Sequence, residues 1–358
     1  MMRRKSAFKT ILCLTCLAFI MTMGSAFAAE KSRTLRYAAH AGPKGVRQNA
    51  VQWWASEIEK RSNGQLNFKF FWSDALLKAA DAMEGIGRGT ANVGSAWGIY
   101  HPAKTPLWTV GDPPFSHSDP YVGLKAIQAL FKTHDPMNEE LAKYNVKLLA
   151  PFVTGMTQLG TSKKPMLVPA DMKGMKVRFA GGEWARLWTS LGAVPIKLTY
   201  GEVYEALMRG TADAAQTYVW TLEGYKLWDV MKHFILLDSG EICSYGIVIN
   251  LDDWKAMSPE LQKVVTEASD DFVEKYGRDL IESREKIIAM AKEKGVTFHA
   301  LNDQQLALWL ETAEPYLKGW VTNNETRAPG AKETQQKFFS LRDKFQKEIK
   351  EKGYPWKR

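Results

Sequence analysis

The sequence predicts an α/β protein of two lobes braced by one long helix. Three observations carry that expectation. From Leu35 onward, short apolar runs of strand length alternate with amphipathic runs of helix length, the pattern of parallel sheets covered by helices on both faces. About 330 residues follow the first apolar segment, enough for two domains. From Ser258 to Lys294 the chain reads as helix almost without a break, a length that suits a brace joining two lobes.

The first element is a targeting signal. Met1 to Lys9 carries Arg3, Arg4, Lys5 and Lys9 with no acid, Ile11 to Gly24 is almost wholly apolar, and Ala26-Phe27-Ala28 supplies a small-x-small cleavage pattern. Residues 1–28 are therefore expected to be a cleavable secretory signal, which places the rest in the periplasm. The apolar run is short for a permanent anchor, and no second run of spanning length follows. Cys13 and Cys16 lie inside this segment, leaving Cys243 alone in the remainder. One cysteine forms no internal disulfide, and Cys243 has no metal-ligand partner at zinc-like spacing, so a small buried hydrophobe is expected and no metal site or cofactor. A Cys-His nucleophile using His233 or His40 is the formal alternative.

Removing the signal lowers the formal charge from +9 to +5, and the excess is spread along the chain. The basic stretch Lys337 to Arg358 is interleaved with acids, as on a solvated helix face. Nothing resembles a nucleic-acid module, and the mild positive field favours small anions.

The elements follow in order. Leu35–His40 reads as a strand, Val46–Arg61 as a helix with Val51, Trp54, Ala55 and Ile58 on one face, ended by Asn63-Gly64. Leu66–Trp72 is a strand, Ala75–Ile86 a helix, Ala91–Trp97 a strand and the proline-rich His101–Phe115 a structured loop. One helix is expected over Tyr121–Tyr144, then strands in VKLLAPFV and QLGTS. Ala170–Gln216 alternates strand, helix, strand, helix, strand; HFILLDSG and YGIVINLDDW read as further strands. Ser258-Pro259-Glu260 starts the long helix with a serine N-cap, proline at the first position and an acid in the first turn. Helices over Asn302–Asn323 and Lys332–Lys352 close the chain. No internal repeat or low-complexity linker appears.

The strongest chemical signal is Arg178. Val177, Phe179 and Ala180 surround it, so its side chain is expected in a crevice. A guanidinium keeps its charge and presents five donors in a rigid fork, which suits bidentate capture of a planar anion. A structural pairing with Asp171 or Glu183 is the bland alternative. Trp97, Trp108, Trp184, Trp188 and Trp220 all read equally well as core.

The block GMKVRFAGG…WTSLGAVPIKLTYGEVYEALMRGTADAAQ, followed by MSPELQKVV, resembles the substrate-binding proteins of tripartite ATP-independent periplasmic (TRAP) transporters, the DctP-like family. The resemblance runs from the first strand, through the SNGQL turn and GRGTANVG, into the long helix. It implies a two-lobed periplasmic binding protein fold, type II-like, with a long helix bridging both lobes. The lobes would comprise residues 29–155 with 244–283, and residues 156–243 with 284–358. It implies closure over a small organic anion, with Arg178 on the ligand carboxylate and no cofactor. Lys164 in TSKK stands where the family has a second arginine, which keeps charge but gives up the fork. DAAQT brings Gln216, and Thr217 where an asparagine is usual. Tyr200 and Trp97 are candidate cleft walls, and His40 a polar contact. Trp97 replaces the carboxylate of sugar-acid binders, which disfavours polyol ligands.

The implied partners are a small organic anion and the small and large subunits of a membrane permease. A C4-dicarboxylate, an oxo or hydroxy acid, an aromatic acid or a small sulfonate such as isethionate all suit such a site. A sensory protein that presents its ligand to a receptor has the same fold. An exported enzyme is disfavoured: there is no G-x-S-x-G, no H-E-x-x-H and no Cys/His cluster in the sequence.

Overall fold

The computed structural model describes residues 32–179 and 181–358; the expected signal at 1–28 lies outside the described residues. The strands are β1 (Arg33–Ala38), β2 (Leu66–Phe71), β3 (Val93–Trp97), β4 (Val146–Phe152), β5 (Gln158–Thr161), β6 (Lys176–Phe179), β7 (Val194–Lys197), β8 (Ala214–Thr217), β9 (His233–Leu236), β10 (Tyr245–Asn250) and β11 (Thr297–Ala300). The longer helices are α1 (Val46–Arg61), α2 (Ala82–Gly87), α3 (Pro120–Thr133), α4 (Asp135–Ala142), α5 (Gly182–Ser190), α6 (Tyr200–Met208), α7 (Pro259–Glu293), α8 (Asp303–Asn324) and α9 (Ala331–Lys352).

Two sheets form, in the orders β2-β1-β3-β10-β4 and β11-β9-β5-β8-β6-β7. They are mixed rather than parallel as expected. β10 runs antiparallel to β3 and β4, and β5 antiparallel to β8 and β9. The reason is topological. Before the long helix Pro259–Glu293 the chain passes between lobes twice, from β4 to β5 and from β9 to β10. A strand entered from the crevice side must run away from it, opposite to strands that end there.

Helix α7 makes the bridge. Ser258 accepts the Leu261 N–H at 3.3 Å, Pro259 opens the first turn, and Glu260 meets the positive helix end. Its 35 residues span about 52 Å at ~1.5 Å per residue. The first half packs on α1 and β4 in the first lobe. Leu280 then lies beside Gly155 in one crossover, and Arg284 forms a two-pronged pair with Asp238 in the other, at 2.8 and 2.9 Å. Beyond α7, the unforeseen β11 pairs in parallel with β9.

Several expected elements changed for local reasons. The helix expected over Tyr121–Tyr144 breaks at His134, which is extended (φ −137°), because Pro136 removes an N–H and crowds the preceding turn. Only α2 remains of the helix expected from Ala75, since Leu76 and Leu77 turn back onto the core. Residues 251–255 are helical, not strand, because Asn250 caps them by accepting from the Asp252 and Asp253 N–H groups. The expected grouping of 284–358 with the second lobe fails for the last helix: α8 packs on α5, but α9 returns along α3 in the first lobe.

Candidate anion-binding site

Strands β1, β3, β6 and β8 all end at the crevice between the lobes, the usual place for ligands in open α/β sheets. Arg178 lies on β6 and is fully buried. Its Nε donates to the Leu198 carbonyl at 2.8 Å and its Nη1 to the Gln216 carbonyl at 3.2 Å. Its guanidinium carbon sits 4.1 Å from the centre of the Tyr200 ring. The Tyr200 hydroxyl donates to the same Gln216 carbonyl at 3.2 Å, and burial pushes that phenol up to about 12, so it keeps its proton. Nη2 of Arg178 has no partner. The proposed structural partners are occupied elsewhere: Asp171 caps the Leu167 and Val168 N–H groups, and Glu183 accepts from Asn323.

A second buried arginine faces the crevice from the first lobe. Arg47, on the first turn of α1, is only 3% exposed. Its guanidinium carbon lies 4.7 Å from the Trp220 ring, 5.0 Å from the Tyr245 ring and 5.8 Å from the Trp97 ring. Nη2 approaches His40 Nε2 at 3.4 Å, and Nη1 has no partner. This residue was missed, although a signal existed: Arg47 shares the helix face of Val51, Trp54, Ala55 and Ile58. A charged residue on a buried face needs a counterpart.

His40 joins the two sides of that cage. Its Nε2 accepts from Trp97 Nε1 at 3.1 Å. Burial first, and the Arg47 charge second, hold the imidazole well below its ordinary range, so the ring is neutral. Trp97 stacks on Tyr245 across the register pair that joins β3 to β10. In the second lobe, Tyr225 and Tyr218 flank Tyr200 at 5.3 and 5.8 Å. Gln216 is buried with both amide atoms unpartnered, whereas Thr217 spends its hydroxyl on Thr221 at 2.7 Å.

The lobes touch around this site. Trp220 Nε1 donates to the Thr154 carbonyl at 2.6 Å, and Lys197 reaches the Tyr100 carbonyl at 3.4 Å. Gly181 passes so near the first lobe that a Cβ there would sit 2.4 Å from the Ile99 carbonyl oxygen.

Lys164 is a correction. It is exposed and far from the arginines, because β5 runs away from the crevice and Lys164 follows its distant end. There its neighbour Lys163 pairs with Asp213 at 2.7 Å, just before β8 begins. A cavity of about 310 Å³ opens at the crossovers, bordered by Thr154, Trp220, Leu280 and Arg284, rather than at the arginines. Among the described residues, His117, Glu241 and Cys243 form a separate buried cluster of metal-ligating types.

Two guanidiniums buried in aromatic surroundings without a carboxylate are costly, by several kcal/mol each in a dry interior. An anion between them would offset that cost. The unpartnered Nη2 of Arg178 and Nη1 of Arg47 are donors an anion can take up, an arrangement suited to binding one.

Comparison with known proteins points the same way. Residues 37–323 match the model of the bacterial extracellular solute-binding proteins, family 7 (DctP). The chain is 26% identical to the 2,3-diketo-L-gulonate-binding periplasmic protein of Escherichia coli, over 74% of this chain and 80% of that one. It is 25% identical to the C4-dicarboxylate-binding periplasmic protein of Rhodobacter capsulatus, over 72% and 77%. The fold superposes on a TRAP solute-binding protein from Rhodoferax ferrireducens holding copurified benzoate, with a TM-score of 0.80, 18% identity and coverage of 88% and 99%. It also superposes on a Bordetella pertussis solute receptor binding pyroglutamic acid, with a TM-score of 0.77, 18% identity and coverage of 87% and 100%. The chain belongs to the DctP family of bacterial extracellular solute-binding proteins, and it is a receptor, not an enzyme.

Proposed function

We propose that this protein captures a small organic anion in the periplasm and delivers it to a TRAP permease driven by an ion gradient. The observation that carries the reading is the pair of buried, incompletely satisfied arginines, one from each lobe, with no carboxylate on either. Arg178 and Arg47 hold the anionic group or groups. Tyr200, Trp97 and Tyr245 wall the ligand body, while Gln216 and His40 supply polar contacts. Each charge-assisted hydrogen bond contributes about 1.5–3 kcal/mol. Because the arginines stand on opposite lobes, the ligand makes all its contacts only in the closed form and shifts the population toward it.

The aromatic lining from Tyr200, Trp97 and Tyr245 favours a compact or flat acid over a polyol. Relatives that bind a C4-dicarboxylate, pyroglutamate or benzoate support that range. C4-dicarboxylates, oxo and hydroxy acids, aromatic acids and small sulfonates such as isethionate are the candidates.

The test is a thermal-shift screen of residues 29–358 against these acids, followed by calorimetry. A ligand at 100 times its Kd stabilises by about 2.7 kcal/mol, a shift of several degrees. A hit lost in Arg178→Ala supports the reading. No hit across the panel, or a hit indifferent to both arginines, would overturn it.

A further inference from the structure

We propose that His117, Glu241 and Cys243 form a buried site for one divalent transition-metal ion of the zinc type, which ties a crossover between the lobes to the first lobe. Glu241 and Cys243 stand on the segment leading from β9 into β10, and His117 on the loop before α3. The three side chains are buried, and their donor atoms all lie within 4.8 Å of one another.

The hydrogen-bond arrangement argues for a cation. The Ser116 hydroxyl donates to the Gly111 carbonyl at 2.7 Å, so toward His117 Nδ1, 2.9 Å away, its oxygen accepts. Nδ1 therefore carries the ring proton and Nε2 a bare lone pair. That lone pair faces Glu241 Oε1 at 2.9 Å, yet neither atom makes a hydrogen bond, and Oε2 has no partner either. Two electron-rich atoms held this close in a dry interior repel each other unless a proton or a metal ion lies between them; a proton would serve His117 and Glu241 alone, whereas the Cys243 sulfur gathered within the same 4.8 Å points to the metal. A metal-ligating histidine typically donates its other ring N–H to a fixed acceptor, as His117 does here.

The surroundings keep this space open. A Cβ at Gly123 would lie 2.2 Å from Glu241 Oε1 and 2.4 Å from His117 Nε2, and one at Gly111 would lie 2.8 Å from Cys243 Sγ. Asp112 accepts the Cys243 and Ser244 N–H groups at 2.7 and 2.8 Å, which fixes the segment that presents the thiol. One nitrogen, one sulfur and a carboxylate able to bind through both oxygens make a donor set for a borderline ion such as zinc. Ligand distances for such an ion are about 2.0–2.3 Å, which donor atoms gathered within 4.8 Å of one another can approach. Cys243 would bind as thiolate, releasing its proton to solvent as the ion enters during folding. The set is invisible at zinc-finger spacing because its members are 117, 241 and 243.

The experiment measures metal in protein purified without chelator from cells grown with zinc, and the absorption spectrum of protein from cobalt-fed cells. The expected result is about one metal per chain, with a thiolate-to-cobalt charge-transfer band that Cys243→Ser abolishes and His117→Gln weakens. Less than a tenth of an equivalent in both preparations would overturn the proposal. So would a cobalt form of the unaltered protein lacking the thiolate band, a readout that stands even where the variants fail to fold. Stoichiometric metal that persists in both variants would assign the ion to another place and overturn this one.

Discussion

Arg178 and Arg47 are the same residue type at similar burial, but they are held differently. Arg178 takes its hydrogen bonds and its ring contact from its own lobe: two carbonyls from Leu198 and Gln216, and the Tyr200 ring beneath it. None of these contacts crosses to the other lobe, so opening need not break them. Arg47 takes His40, Trp97 and Tyr245 from its own lobe but Trp220 from the other. Its cage is complete only on closure. The first is thus a fixed anion receptor, and the second reports that the lobes have met.

The sharpest way to break this comparison is to remove the fixed receptor. Arg178→Ala should cost about 2–5 kcal/mol in binding, a loss of roughly 30-fold to several thousand-fold by calorimetry. Arg178→Lys should recover only part, since lysine lacks the fork. A loss under threefold would show that the ligand sits elsewhere.

Closure itself is tested next. In Gly181→Ala the new methyl would meet the Ile99 carbonyl only in the closed form. Overpacking of about 1–3 kcal/mol should weaken binding by about 5- to 150-fold, and because Gly181 sits at φ 157°, ψ −164°, where a side chain is strained, the unliganded variant should lose some stability as well. Small-angle scattering should then show a liganded radius of gyration closer to the open value. An unchanged radius and affinity would mean that this contact does not form on closure.

Arg47→Leu sharpens the contrast because two readouts should move in opposite senses. Affinity should fall by about 10- to 150-fold, for the loss of a charge-assisted contact of about 1.5–3 kcal/mol. Yet the variant also removes an uncompensated buried charge from the unliganded closed state, so that state should become more populated. Scattering should show a more compact unliganded protein than the parent. If Arg47→Leu and Arg178→Ala behave alike in both readouts, the distinction between receptor and reporter fails.

These two arginines also mark what the sequence could and could not disclose. Arg178 was legible because apolar neighbours on a short strand announce a buried charge, and because its motif is contiguous. Helix α1 was legible to its end residues, from apolar spacing and a glycine stop. Arg47 was on that helix, but as its second residue it reads like an ordinary solvated end, and its cage comes from residues 97, 220 and 245. Lys164 misled for the converse reason: its place in the sequence suited a ligand contact, but strand direction put it at the wrong edge. Strand direction depends on where the chain crosses between lobes, and no local pattern records that. The His117–Glu241 contact is hidden in the same way, since it links segments 124 positions apart in sequence.

The smallest effect expected is a pH dependence at the Arg47 cage. His40 accepts from Trp97 and faces Arg47 through the same nitrogen, so protonating Nε2 would break one hydrogen bond and set two cations together. Burial first and Arg47 second hold His40 well below the ~6.5 of a free imidazole, which the open or unfolded chain regains. The closed state therefore binds fewer protons than its competitors. Its stability is complete above about pH 6.5 and is lost as the pH falls below that, by at most about 1.4 kcal/mol per unit for one proton. Affinity for a sulfonate, or for an acid fully ionised over the range, should thus decline from pH 7 to pH 5. In His40→Gln, whose amide oxygen keeps the acceptor without the titration, calorimetry should show a flatter profile. A profile as steep as that of the parent would place the proton on another group and detach His40 from the closing of the cage.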